Sequence, residues 1–203
     1  MPHLVVQGRR DLPVVILFHG TGGDERQLVG LARELFPENP LLAIRGRVLE
    51  NGHARYFKRF AEGVFDLESL ARESKWLSQR ITTLLNQNNL DGRTLVGLGY
   101  SNGATIMLHL TTYGLVKFDK LLALHAMSLE DVSHQTKKII GTQIFLSYAE
   151  NDPIVPLQNF ERLLSNLTAS GASVVWQDFR SGHAISQEEV TRLHDFLEKE
   201  GSL

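Results

Sequence analysis

Cysteine is absent from all 203 residues of this chain. That absence excludes disulfides, thiolate zinc sites and a cysteine nucleophile, and it leaves the redox compartment open. Long apolar runs are missing as well, and no stretch approaches the ~20 residues needed to span a bilayer. Nor does Met1-Pro2-His3 lead through a basic segment into an apolar one, the pattern of a secretory signal. The expectation is a cytoplasmic protein without stable membrane association. Neither charge is in excess: 21 basic residues face 23 acidic ones, a formal net of −2, which argues against a nucleic-acid partner. Repeats and low-complexity linkers are not evident. The 42% of apolar residues suffice for a substantial core, and we expect one domain over 1–203.

Short apolar runs alternate with helical patterns along the chain. Leu4-Val5-Val6 reads as an edge strand, and Pro13 to Phe18 as a strand buried on both faces, because it is apolar without alternation. A helix is expected over Gln27 to Leu35 with Asp24 placed to cap it, then a strand over Leu41 to Ile44. The segment from Arg45 to Phe65, rich in arginine, glycine and aromatics, shows no clear period and reads as a functional loop. Asp66 can cap a helix reaching Asn86. Further strands are expected at Thr94 to Gly99, Leu121 to His125, Gln143 to Tyr148 and Ser173 to Phe179. Helices are expected near 102–113, 157–170 and 187–199, with a polar connection running through Lys138. This alternation indicates an α/β fold, a mostly parallel sheet of about seven strands with helices on both faces.

In such a sheet ligands bind beyond the carboxyl ends of the strands, and each polar motif here falls just after a strand. Thr94 to Gly99 runs into Tyr100-Ser101-Asn102-Gly103, a serine between two glycines at the entry to a helix. The glycines relieve collisions in a sharp strand-to-helix turn, which lifts the Ser101 hydroxyl clear as a candidate nucleophile. A free serine hydroxyl needs a base, and His183, in a Ser-Gly-His loop after the last strand, is the best placed of eight histidines. His109 and His194 fall within expected helices and His134 in the polar connection, where a structural role is the simpler reading. Asp152, in the proline-braced Asn151-Asp152-Pro153 turn, can orient His183, with Glu150 as its rival. Serine, acid, histidine is also the chain order of that fold's triads. The amides of Asn102 and of Thr21, in His19-Gly20-Thr21-Gly22-Gly23, fit an oxyanion hole. That glycine run lacks a P-loop ending and the spacing of a dinucleotide fingerprint, and His19 reads as a brace.

With these residues in place the chain resembles the α/β-hydrolase superfamily, in its small bacterial carboxylesterase and phospholipase-like branch. The resemblance runs nearly end to end and includes Arg45 to Gly52 and Ala61 to Asp66, stretches similar to those of that branch. It implies hydrolysis of carboxylic esters through an acyl-serine without a cofactor or metal, on Ser101, Asp152 and His183, with Thr21 and Asn102 as oxyanion donors. Relatives include acyl-protein thioesterases, so a thioesterase or lactonase with the same triad is the alternative, as is a noncatalytic receptor that kept the fold. A small-molecule ester is the expected partner, and a homodimer is plausible by resemblance. His53-Ala54 stands where close relatives often have Met-Pro, and Ala126 to Leu129 where they carry a proline-containing segment. Tyr56, Phe57, Phe60 and Phe65 are candidate substrate contacts or a lid, although unevenly spaced aromatics equally fill a core. Arg45, Arg55, Lys58 and Arg59 are compatible with a solvated face as well as an anion site.

Overall fold

Strands without a polar face must be covered on both sides, and the apolar runs of this chain meet that demand by pairing into one sheet. The computed structural model describes residues 2–61, 63–129 and 139–199. In chain order the first elements are β1 (His3–Val6), β2 (Val14–Phe18), α1 (Val29–Leu35) and β3 (Leu41–Ile44). Four short strands follow, β4 (Val48–Glu50), β5 (His53–Arg55), β6 (Arg59–Ala61) and β7 (Val64–Phe65), and then α2 (Leu67–Gln87). The remainder is β8 (Leu95–Tyr100), α3 (Asn102–Thr112), β9 (Lys120–Leu124), β10 (Gln143–Ala149), α4 (Leu157–Ala169), β11 (Ser173–Phe179) and α5 (Gln187–Lys199).

The main sheet has seven strands in the order β1-β3-β2-β8-β9-β10-β11. Only β1 runs antiparallel, pairing with β3 at the edge as His3↔Ile44 through Val6↔Leu41. Alternate residues feed two apolar layers. Val14, Ile16 and Phe18 of β2 pack with residues of α2, α3 and α4 on one face, while Val15 and Leu17 pack with α1 and α5 on the other. Strand β8 keeps Val96 and Leu98 for the second layer and, beyond Leu95 at its start, presents Gly97 and Gly99 to the first. A Cβ on Gly97 would stand 2.6 Å from Met107 Sδ, and one on Gly99 2.7 Å from Ala104 Cα. The two glycines therefore let α3 lie directly on the sheet centre, which fixes where its N-terminus emerges. Among the described residues no helix is long and apolar enough to cross a membrane.

Two expectations are corrected. The segment 45–65 is not one loop but two antiparallel hairpins, β4 with β5 and β6 with β7, lying outside the main sheet. Strands of two or three residues are too short to display a period. Asp24 does not cap α1, which starts at Val29 with Leu28 before it and no side-chain cap. Instead its Oδ1 accepts from the Arg26 amide at 2.8 Å and its carbonyl from Gln27 at 3.2 Å, closing a turn ahead of the helix. Asp66 does cap α2, accepting from the Ser69 amide at 2.9 Å. The connection over 130–138, with His134, lies outside the described residues.

Candidate active site

Ser101 stands between the end of β8 and the first residue of α3, with φ 53° and ψ −119°. A side chain tolerates that conformation only under constraint, and the surroundings supply it. The Ser101 amide donates to the Leu124 carbonyl at 2.8 Å, and its own carbonyl accepts from both the amide and hydroxyl of Thr105 at 3.0 Å. Gly103 is required as well, since a Cβ there would overlap the Phe18 and His19 carbonyls. Held this way, the Ser101 hydroxyl lies 2.8 Å from Nε2 of His183. Nδ1 of that ring lies 2.7 Å from Oδ2 of Asp152.

Each partner is fixed by its own loop. The Asp152 side chain is fully buried, and its Oδ1 accepts from the amides of Ile154 at 2.8 Å and Val155 at 3.2 Å. Burial raises its pKa, but the His183 hydrogen bond and then the Ile154 amide outweigh that and hold the carboxyl below its ordinary value. Glu150, the rival acid, is exposed. The His183 loop is held by the Tyr100 hydroxyl, which donates to the His183 carbonyl at 2.8 Å. It is also tied to the acid loop through Asn151 N–H to Ser181 O at 3.3 Å.

Comparison with known proteins decides the kinship. The model of the phospholipase/carboxylesterase family matches residues 61–200. The chain belongs to the phospholipase/carboxylesterase family. It is 32% identical to the MhqD protein of Bacillus subtilis (strain 168) over 207 residues, 98% of each chain. Among solved structures it is similar to YahD, determined with malic acid, at 40% identity and TM-score 0.94, covering 98% of this chain and 99% of that one. It is likewise similar to the Bacillus cereus carboxylesterase at 32% identity and TM-score 0.93, covering 98% and 94%. The fold is that of the α/β-hydrolase esterases, and the chain is a member of a hydrolase family.

In this member of the phospholipase/carboxylesterase family a cavity of about 200 Å³ opens over Ser101 and His183. Thr21 and Asn102 both line it. The Asn102 amide is the first of α3 and has no intrahelical acceptor. In the glycine loop, Gly20 N–H donates to Gln27 Oε1 at 2.7 Å and Gly22 N–H to the Ala54 carbonyl at 2.9 Å, while no described backbone acceptor takes the Thr21 amide. His19 is the brace expected: its Nε2 accepts from the Gly46 amide at 2.9 Å, which leaves the proton on Nδ1, 2.6 Å from the Gly20 carbonyl.

Of the four aromatic candidates, Phe57 and Phe65 line the cavity, with Met127 and Ile154. Tyr56 and Phe60 do not. Tyr56 is buried behind the wall, its hydroxyl accepting from the His19 amide at 3.1 Å and donating to the Ile44 carbonyl at 2.7 Å, while its amide donates to Asn102 Oδ1 at 2.8 Å. Phe60 is 76% exposed. Tyr56 and Phe57 lie in the connection between β5 and β6, and Phe60 on β6 stands outside the cavity lining.

A further residue escaped the sequence reading. His125, just past β9 with φ 51°, is buried between two carboxylates, Nδ1 2.9 Å from Asp152 Oδ2 and Nε2 3.1 Å from Glu189 Oε1. Burial disfavours its charged form, but Glu189 first and Asp152 next outweigh that and raise its pKa. A histidine ending an apolar strand was the available signal; its partners come from distant loops. Among the described residues His125, Asp152 and His183 are the one grouping with metal-ligand spacing. The atoms concerned already meet one another through the two Nδ1 contacts to Asp152 Oδ2. A metal would have to displace both ring protons. His109 and His194 lie apart from the site, His109 against Ser74 Oγ at 2.9 Å and His194 3.9 Å from Glu34.

Proposed function

We propose that the chain is a serine carboxylesterase, cleaving small to medium carboxylic esters through an acyl-serine intermediate. The observation that carries this reading is the unbroken relay of Ser101 Oγ to His183 Nε2 at 2.8 Å and His183 Nδ1 to Asp152 Oδ2 at 2.7 Å, anchored on a strained turn. Ser101 attacks the ester carbonyl as its proton passes to His183, and Asp152 stabilises the imidazolium while holding the tautomer. The amides of Thr21 and Asn102 meet the charge developing on the carbonyl oxygen. His183 then gives its proton to the departing alcohol, leaving acyl-Ser101. Water, deprotonated by His183, attacks that ester, releases the acid and restores the serine. These steps call on no cofactor.

The cavity supports the short end of the substrate range. Its volume of about 200 Å³ falls below that of sites for drug-sized ligands, roughly 300–1,000 Å³. YahD, the relative determined with malic acid, offers a ligand of matching scale. The test is hydrolysis of para-nitrophenyl esters from acetyl to decanoyl by the parent and by Ser101→Ala at equal folded fraction. We expect the substitution to cut kcat about 10⁴-fold or more, with acetyl and butyryl esters preferred. A parent that neither turns over any of these esters nor labels with a fluorophosphonate would defeat the proposal. Leaving-group profiling with matched esters, thioesters and lactones fixes which bond is favoured.

A further inference from the structure

We infer that Arg55 and Arg59 form an anion subsite in the wall of the Ser101 cavity, so that the preferred substrates are small esters carrying a second, ionised acidic group. This inference rests on the esterase reading and narrows its substrate class.

Arg55 and Arg59 both line the cavity together with Ser101 and His183, and no carboxylate lies in that wall among the described residues. Their shared counter-ion sits behind them. Glu50 accepts from Arg55 Nη1 at 3.1 Å and from Arg59 Nε at 3.0 and 3.2 Å. One carboxylate thus serves two guanidinium groups, and one positive charge of the trio is unmatched. The Arg55 side chain is only 3% exposed, so water does little to screen that excess. Burial, and then the charge of Arg59, work against the charged form of Arg55, with Glu50 offsetting part of that.

Donors are left over as well. Arg55 commits Nε to the Phe57 carbonyl at 3.3 Å and Nη1 to Glu50, while its Nη2 takes no acceptor among the described residues. Arg59 commits only Nε, so both of its Nη groups remain for a ligand. Planar guanidinium groups with parallel N–H bonds match a carboxylate or phosphate better than any neutral group. The rest of the wall is apolar at Phe57, Phe65, Met127 and Ile154, which leaves the arginine corner to orient a short substrate by charge. An acidic group docked there would supply the counter-charge that Glu50 alone does not.

The competing role is mechanical. The Glu50 bridge pins the β4–β5 hairpin to β6, and a purely structural pin would affect all substrates alike. Matched pairs separate the two. Monomethyl succinate against methyl butyrate places the charge on the acyl side, and acetoxyacetate against ethyl acetate places it on the alcohol side. 2-Acetoxyethyl phosphate against propyl acetate replaces the carboxylate by phosphate. Acid release followed by pH-stat gives kcat/KM for each.

We expect the anionic member of at least one pair to be favoured about tenfold or more at low salt, with the ratio falling as ionic strength rises. The ratio should fall toward one in Arg59→Gln and partly return in Arg59→Lys. Arg55→Gln should do the same, and if that buried substitution prevents folding, the more exposed Arg59 carries the test. Neutral esters hydrolysed as well as anionic ones by a fluorophosphonate-reactive enzyme would overturn the subsite and leave the esterase reading standing. So would substitutions that lower both members of every pair equally. An enzyme inert toward every ester and toward the fluorophosphonate would remove the esterase reading and the subsite with it.

Discussion

Replacing His125 by leucine keeps a buried side chain of similar bulk but leaves two carboxylates facing one another across the space of the imidazole ring. Asp152 keeps the His183 ring and the Ile154 and Val155 amides, so most of the loss falls on Glu189, which retains the Ser186 amide at 2.8 Å. Removing one partner of a buried pair costs about 3–5 kcal/mol, a large share of the roughly 5–15 kcal/mol that holds a domain folded. For a chain of this size that is a fall in Tm of about 10 °C. The pH profile carries the same information. A group raised above its ordinary value, as His125 is, contributes stability that is fully present below 6.5 and is lost as pH rises through its folded value. Glu189 and Asp152 are depressed, so their contributions are present above 4.5 and 3.8 and are lost as pH falls through their folded values. For both carboxylates the depression prevails over burial, which alone would raise them; for Glu189 it comes chiefly from His125. Urea unfolding followed by circular dichroism between pH 4 and 9 should therefore show the alkaline loss gone in His125→Leu and the acid loss starting at higher pH. The double variant His125→Leu/Glu189→Leu should recover most of the midpoint. A single variant within about 1 kcal/mol of the parent, with an unchanged profile, would mean that the ring is a neutral spacer and would refute the reasoning.

Ser101→Gly should unfold about 1 kcal/mol harder than Ser101→Ala, because glycine accepts φ 53° and ψ −119° without strain; thermal scans of the two variants decide it. Gly103→Ala should cost about 3 kcal/mol in urea unfolding and lower the proposed esterase activity with it, since the added methyl meets two backbone carbonyls that cannot swing aside. His109, whose pKa burial lowers to about 4, stays neutral in the folded chain while the unfolded chain takes up its proton near 6.5. Stability should thus decline by up to about 3 kcal/mol as pH falls from 6.5 to 4, and His109→Gln should lack that component of the acid slope.

Ser101, Asp152 and His183 were legible in sequence because each sits in a turn with its own local chemistry, directly after an apolar run. The strand runs were legible because burial on both faces removes alternation. The hairpins of 45–65 were not, since β4 to β7 have no more than three residues each and their register depends on what they lie against. For the same reason no local rule turns Tyr56 inward beneath His19 and Phe60 outward. Asp24 misled because an aspartate before a helical pattern serves a turn as readily as a cap. His125 went unseen because its meaning resides in Asp152 and Glu189, brought to it only when β9, β10 and α5 assemble.

The two hairpins leave their mark on how this chain can change over generations. With the connection between them they supply Arg55, Phe57, Arg59 and Phe65 to the cavity, whereas Ser101, Asp152 and His183 follow the ends of sheet strands. In the esterase proposed above, much of what is accepted and all of the triad would therefore be written on separate stretches of the gene. On that proposal, mutation in 45–65 would try new substrates while the triad descends unaltered. Tyr56 is an exception within that stretch, because it joins the hairpins to His19, Ile44 and Asn102 at once. A lineage that diversifies its diet through these hairpins should vary at their other positions and hold that tyrosine still.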